Sequence, residues 1–232
     1  PTLNRRVAEM LEAGERIDVL STHSKYAPSQ RQWLTPLSLD TSGLAPAAMS
    51  LCTFAGQLLS VPRCIDVRVL WSRVHPPATW DDLVASDVVF GFPGRESGLF
   101  GTFFELVVSR GGRLFDDGAR PTMDTPEARW AVETLCALAA RAPSDLPDWH
   151  YDEVDAALLS GRIDAAGAWP GGYGPIRSSG ASLQPYPYPG GISYAGCHSW
   201  AIPTTCGDLD GALALVQRLV GPELAALDAS GG

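Results

Sequence analysis

Between Ile163 and Tyr173 the sequence stops one kind of structure and starts another within a few residues. Ile163, Ala165 and Ala166 are small or β-branched and suit a packed strand, whereas Pro170, Gly171, Gly172 and Gly174 forbid its continuation. The strand must end at Trp169 and leave that ring, with Tyr173 just behind it, at its terminus. Ligands of open α/β sheets usually bind at the C-terminal ends of strands, so this segment reads as a ligand platform.

The rest of the chain supplies what such a sheet needs. Leu3, Val7, Met10 and Leu11 recur at helical spacing before Gly14, which predicts an opening amphipathic helix. A strand is expected over Ile17 to Leu20, and the polar turn Ser21 to Tyr26 follows it. Residues 58–70 alternate in a way that predicts two short strands broken at Pro62. Thr79, with Asp82 three residues on, predicts a helix N-cap. Val88 to Phe92 reads as a strand, and Leu99 to Arg110 as a helix closed by Gly111 and Gly112. Asp124-Thr-Pro-Glu127 predicts a helix start capped by Asp124 and running to about Arg141. Helices are also expected over Tyr151 to Leu159 and Asp210 to Val220. Alternation of this kind defines an α/β fold.

A chain of 232 residues, 45% hydrophobic and 19% charged, folds as one large or two small domains. The net charge of −9 argues against nucleic acid as a partner, because that binding rests on clustered Lys and Arg. The uncharged run Ala165 to Ile176 is interrupted by prolines and glycines, and no transmembrane helix is expected. Pro1 to Glu15 carries charges throughout and reads as no signal peptide, which leaves a mature fragment or a cytosolic protein. Five cysteines are an odd number. Cys136 is expected as a buried thiol in its helix, while Cys197 and Cys206 either pair in an exported protein or stay reduced with the others. No nucleophile elbow, zinc-protease helix or phosphate loop is present, so no catalytic residue, metal or cofactor is expected and the chain is not read as an enzyme.

A second aromatic and glycine cluster follows the first, from Pro185-Tyr-Pro-Tyr-Pro-Gly-Gly to Gly196-Cys-His-Ser-Trp-Ala-Ile-Pro203. Other pieces accompany it in order: Ile17-Asp-Val-Leu-Ser-Thr-His-Ser-Lys-Tyr26, Val61-Pro-Arg-Cys-Ile-Asp-Val-Arg-Val-Leu70, Pro77-Ala-Thr-Trp-Asp-Asp-Leu83, Gly111-Gly-Arg-Leu-Phe115, Asp124-Thr-Pro-Glu-Ala128 and Ser160 to Pro170. Taken together the chain resembles the extracellular solute-binding proteins of carbohydrate ABC transporters, the maltose-binding-like family. The resemblance implies a periplasmic-binding-protein-like fold of the second type, with two α/β lobes and a ligand cleft, shortened at both ends. It places residues 1–85 in a first, incomplete lobe, 86–203 in the second, and 204–232 in a return helix toward the first.

The same resemblance implies binding of a sugar or short oligosaccharide, delivery to an ABC permease, and an extracellular or cell-surface location, with membrane attachment only through an upstream lipid anchor. The alternative is a cytoplasmic enzyme or regulator descended from the same fold. Trp169 falls at the family's stacking aromatic, with Tyr173 as a weaker neighbour, and a core tryptophan is the other reading. Asp66 falls at a cleft carboxylate, or else pairs with Arg68, which period-two alternation puts on the same strand face. Thr22, His23, Ser24 and Lys25 occupy a sugar-contacting loop, Glu96 a turn before a helix, and Gly196 and His198 a segment where sugar approaches the backbone.

Overall fold

A computed structural model gives the conformation of residues 2–116 and 120–229. The chain forms two compact units, one from Pro1–Asp66 with Ala195–Gly232 and the other from Val67–Tyr194. It begins with α1 (Thr2–Glu12), β1 (Leu20–His23), α2 (Ala27–Gln30), α3 (Pro46–Cys52), the hairpin of β2 (Thr53–Phe54) and β3 (Gln57–Leu58), and β4 (Val61–Val67). The second unit follows as β5 (Val69–Ser72), α4 (Trp80–Ala85), β6 (Phe90–Gly91), α5 (Glu96–Ser109), α6 (Pro126–Ala139), α7 (Tyr151–Ser160), β7 (Ala165–Ala168), α8 (Tyr173–Ser178) and β8 (Gln184–Tyr186). The chain then returns through β9 (Ala195–Ala201), α9 (Leu209–Leu219) and α10 (Pro222–Ala229).

In the first unit β9 lies between β1 and β4. It runs antiparallel to β1, with Leu20 opposite Ala201 and His23 opposite His198. Cys197, Ser199 and Ala201 point inward while His198 is exposed, the period-two pattern of a strand with one buried face. Leu11, Leu20, Leu34 and Leu59 pack as one apolar cluster, and Leu37, Val61, Ile202 and Val216 as another. Two expectations shift here. The first strand starts at Leu20, because the Asp18 carboxylate accepts the Gly207 N–H at 2.8 Å and is held in a turn. Pro62 does not break β4, since β4 is the edge of its sheet and a missing N–H is tolerated there.

The second unit carries a mixed sheet in the order β6-β7-β5-β8. Its central β7 is buried along its whole length, parallel to β6 and antiparallel to β5. Leu70, Phe90, Phe92, Leu106, Leu158 and Ile163 form the core around it. Thr79 caps α4 as expected, its hydroxyl accepting from the Asp82 N–H at 3.1 Å. The cap of α6 is Thr125 and not Asp124, the Thr125 hydroxyl accepting from the Ala128 N–H at 3.2 Å. Cys136 on α6 is exposed rather than buried, as it lies on the side of the helix away from Ala131 and Leu138. Strand pairing also moves the unit boundaries from about 85 and 203 to 66/67 and 194/195. β5 pairs with β7 and β8, which assigns it to the second unit, and β9 pairs with β1, which assigns it to the first.

Candidate functional site

In the first unit the expected residues gather around β1 and β9. Thr22 is buried and its hydroxyl donates to Gln30 Oε1 at 3.0 Å, which occupies it internally. Ser24 is also engaged: its N–H donates to the Cys197 carbonyl at 2.8 Å, and its hydroxyl accepts from the Cys197 N–H at 3.3 Å. His23 Nδ1 accepts from the Lys25 N–H at 3.2 Å, which puts the proton of the neutral ring on Nε2. Burial first, and then the charges of Lys25 and His198, lower the His23 pKa to about 4. Lys25 is exposed, with its ammonium 5.0 Å from the Tyr26 ring.

A Cβ on Gly196 would come within 2.6 Å of His23 Nε2, so the close approach that glycine permits is taken by the His23 ring. The backbone there is covered on that side by a side chain of this protein. His23 and His198 meet edge to face, with ring centroids 5.0 Å apart. His198 Nε2 in turn lies 3.4 Å from Asp66 Oδ2, with His198 half exposed and Asp66 mostly covered. Asp66, His198 and His23 thus form one polar line on the sheet.

Arg68 is not the partner of Asp66. Its guanidinium is buried in the second unit and donates to Glu105 Oε2 at 2.9 Å, Thr102 Oγ1 at 3.3 Å and the Gly167 carbonyl at 3.4 Å. Glu105 Oε1 accepts from the Tyr194 N–H at 2.8 Å. Burial lifts the Glu105 carboxyl above the ordinary carboxylate range, against the pull of Arg68 and of that N–H. Fully desolvated pairs of this kind are costly to break, because one partner is left as an uncompensated charge. A Cβ on Gly167 would overlap the Tyr188 hydroxyl, so only glycine lets Arg68 and Tyr188 close over β7.

This buried pair underlies Trp169. The Trp169 ring is part-buried at the end of β7, with the Arg68 guanidinium 6.0 Å from its centroid. Tyr151 and Tyr194 stand edge-on to it at 6.0 and 5.7 Å. Asp155 on α7 is half-buried nearby and lies against Gly172, and burial, aided by Asp152 and opposed by Arg68, raises its pKa to about 6. Sequence reasoning missed Tyr151, Tyr194 and Asp155. The aromatic cluster from Pro185 to Pro203 contained Tyr194, but nothing local marked Tyr151 or Asp155 beyond their place on a helix.

Tyr173 does not join this group. It packs on Trp71 with centroids 5.8 Å apart, accepts from Arg177, and lines a separate cleft of about 240 Å3 with Ile176 and Leu183. Glu96 pairs with Arg95 at 3.6 Å and edges an apolar cavity of about 530 Å3 lined by Phe92, Leu99, Phe103 and Leu135. Its φ of 54° is a left-handed conformation unusual for a side chain of this type. Among the described residues no three His, Cys, Asp or Glu side chains are grouped to hold a metal ion, and no helix is long and apolar enough to cross a membrane.

The chain belongs to the bacterial extracellular solute-binding protein family, whose pattern matches residues 12–226. This is a family of solute-binding proteins and not of enzymes. Solved structures share the fold. The maltose-bound MalE3 of T. maritima superposes with a TM-score of 0.84 at 22% identity, over 97% of this chain and 68% of that one. An ABC transporter solute-binding protein of Thermotoga lettingae bound with α-D-tagatose gives 0.83 at 18% identity, over 100% and 70%. One of Agrobacterium radiobacter in complex with ribitol gives 0.83 at 15% identity, over 97% and 67%.

Proposed function

We propose that this protein binds a sugar or short oligosaccharide outside the cytoplasm, in the inter-lobe cleft that the family resemblance implies, and delivers it to an ABC importer. Trp169 carries this reading. A part-buried indole at a strand end, with Tyr151 and Tyr194 edge-on to it, suits the C–H face of a pyranose. Asp66 and His198 in the first unit supply an acceptor and a donor for hydroxyls. Relatives of the same fold crystallised with maltose, tagatose and ribitol support a neutral polyhydroxylated ligand.

Calorimetric titration with maltose, longer maltodextrins, tagatose and ribitol tests it. At least one is expected to bind, and Trp169→Ala is expected to weaken that binding by roughly 1–3 kcal/mol while the fold is retained. Asp66→Ala is expected to weaken it by about 1.5–3 kcal/mol. A thermal-shift response to peptides or metal ions with none to saccharides would overturn the proposal, and a Trp169→Ala variant that unfolds would assign the ring to the core.

A further inference from the structure

Cys52 ends α3, and Cys197 is the third residue of β9. Both are buried, at 1% and 0% exposure, and their sulfurs are hydrogen-bonded 3.8 Å apart. Ala48 and Leu58 pack around them. The hydroxyls of Ser60 and Ser199 are buried beside Cys52. The contact with Cys197, and after it those two hydroxyls, bring the Cys52 thiol down to about 7 against the effect of burial. The remaining cysteines sit differently: Cys64 and Cys136 are exposed and Cys206 is half-buried.

We propose that Cys52 and Cys197 close a disulfide when the protein matures in an oxidising extracytoplasmic compartment. A disulfide needs its sulfurs at about 2.05 Å, so the two, now 3.8 Å apart, must approach by roughly 2 Å. The oxidant is an organic disulfide of the kind carried by a dithiol oxidase, and it acts before α3 packs on β9 and covers the thiols. The Cys52 thiolate attacks one oxidant sulfur and displaces the other as a thiolate. Cys197 then loses its proton to that thiolate and attacks the Cys52 sulfur, expelling the second oxidant sulfur. One S–S bond forms, one breaks, and two electrons pass from the cysteine pair to the oxidant, which leaves as a dithiol. The oxidising surroundings follow from the extracellular family and do not depend on sugar as the ligand.

The bond would join the two separate stretches of chain that make the first unit, closing a loop over a separation of 145 residues. It would also anchor the backbone between Gly196 and His198, to which Ser24 is already fastened on both sides. The test is a thiol count and peptide map of the whole chain after it is denatured and reduced and then refolded in a buffer of oxidised and reduced glutathione, so that the thiols meet the oxidant before they are covered, followed by denaturation and alkylation without reductant. The expected result is a mass lower by two hydrogens, a crosslinked peptide joining Cys52 to Cys197, and alkylation of Cys64, Cys136 and Cys206. Reductant should then lower the melting temperature of the wild type by something of the order of 10 °C, and leave Cys52→Ala and Cys197→Ala unmoved. Alkylation of all five cysteines, or a crosslink through any other pair, would overturn the proposal, and both are read on the wild type even if a variant fails to fold.

Discussion

His23 and Asp155 are pushed in opposite directions on the pH scale by the same cause, burial beside groups that do not fully compensate it. His23 has a pKa of about 4 in the folded protein against 6.5 in the open chain. Between those values the unfolded chain holds the proton and the folded one does not, so the first unit keeps this contribution in full above pH 6.5 and loses it as pH falls toward 4. Asp155 is the reverse. Its folded pKa of about 6 exceeds the ordinary 3.8, so the second unit keeps the contribution below pH 3.8 and loses it as pH rises through 6. Calorimetry across this range should show His23→Gln flattening the acid loss of one transition, and Asp155→Asn flattening the loss of the other on the way to neutrality. Slopes equal to wild type in both variants would contradict the assignment. Neither shift was legible in the sequence, because each depends on what a different segment places over the side chain.

At the scale of elements, local chemistry was legible to within a residue or two and no closer. Asp124 and Thr125 are adjacent and both of capping type, and only the path of the backbone selects Thr125. Thr125→Ala should cost about 1 kcal/mol in urea unfolding, and Asp124→Ala less than roughly 0.5 kcal/mol. A larger loss from Asp124→Ala would restore it as the cap. Arg68 shows where a periodic rule fails. Residues two apart share a face only within one strand, and Arg68 stands in the break between β4 and β5, so its alternation with Asp66 carries no meaning. The start of β1 was hidden for another reason: Asp18 is turned away by Gly207, 189 residues along the chain. The contact of Cys52 with Cys197 was beyond reach on the same ground.

For the whole molecule, the order of parts identified the α/β fold and the family, since helices and strands alternate from Thr2 to Ala229. What order alone did not reveal is which passes of the chain pair. The first unit is discontinuous and its middle strand, β9, is the last strand in the sequence, whereas the second unit is one continuous stretch from Val67 to Tyr194. A polypeptide threaded N-terminus first through a narrow exit therefore offers a complete second unit while the first still lacks the strand that joins β1 to β4. Hydrogen exchange on chains arrested at successive lengths should find β5 and β7 protected before β1, and protection of β1 in chains that stop before Ala195 would reverse that order. The N-terminal half of the first unit must wait, open and apolar, for its centre to be made, so a holding chaperone has most to do during the synthesis of the second unit.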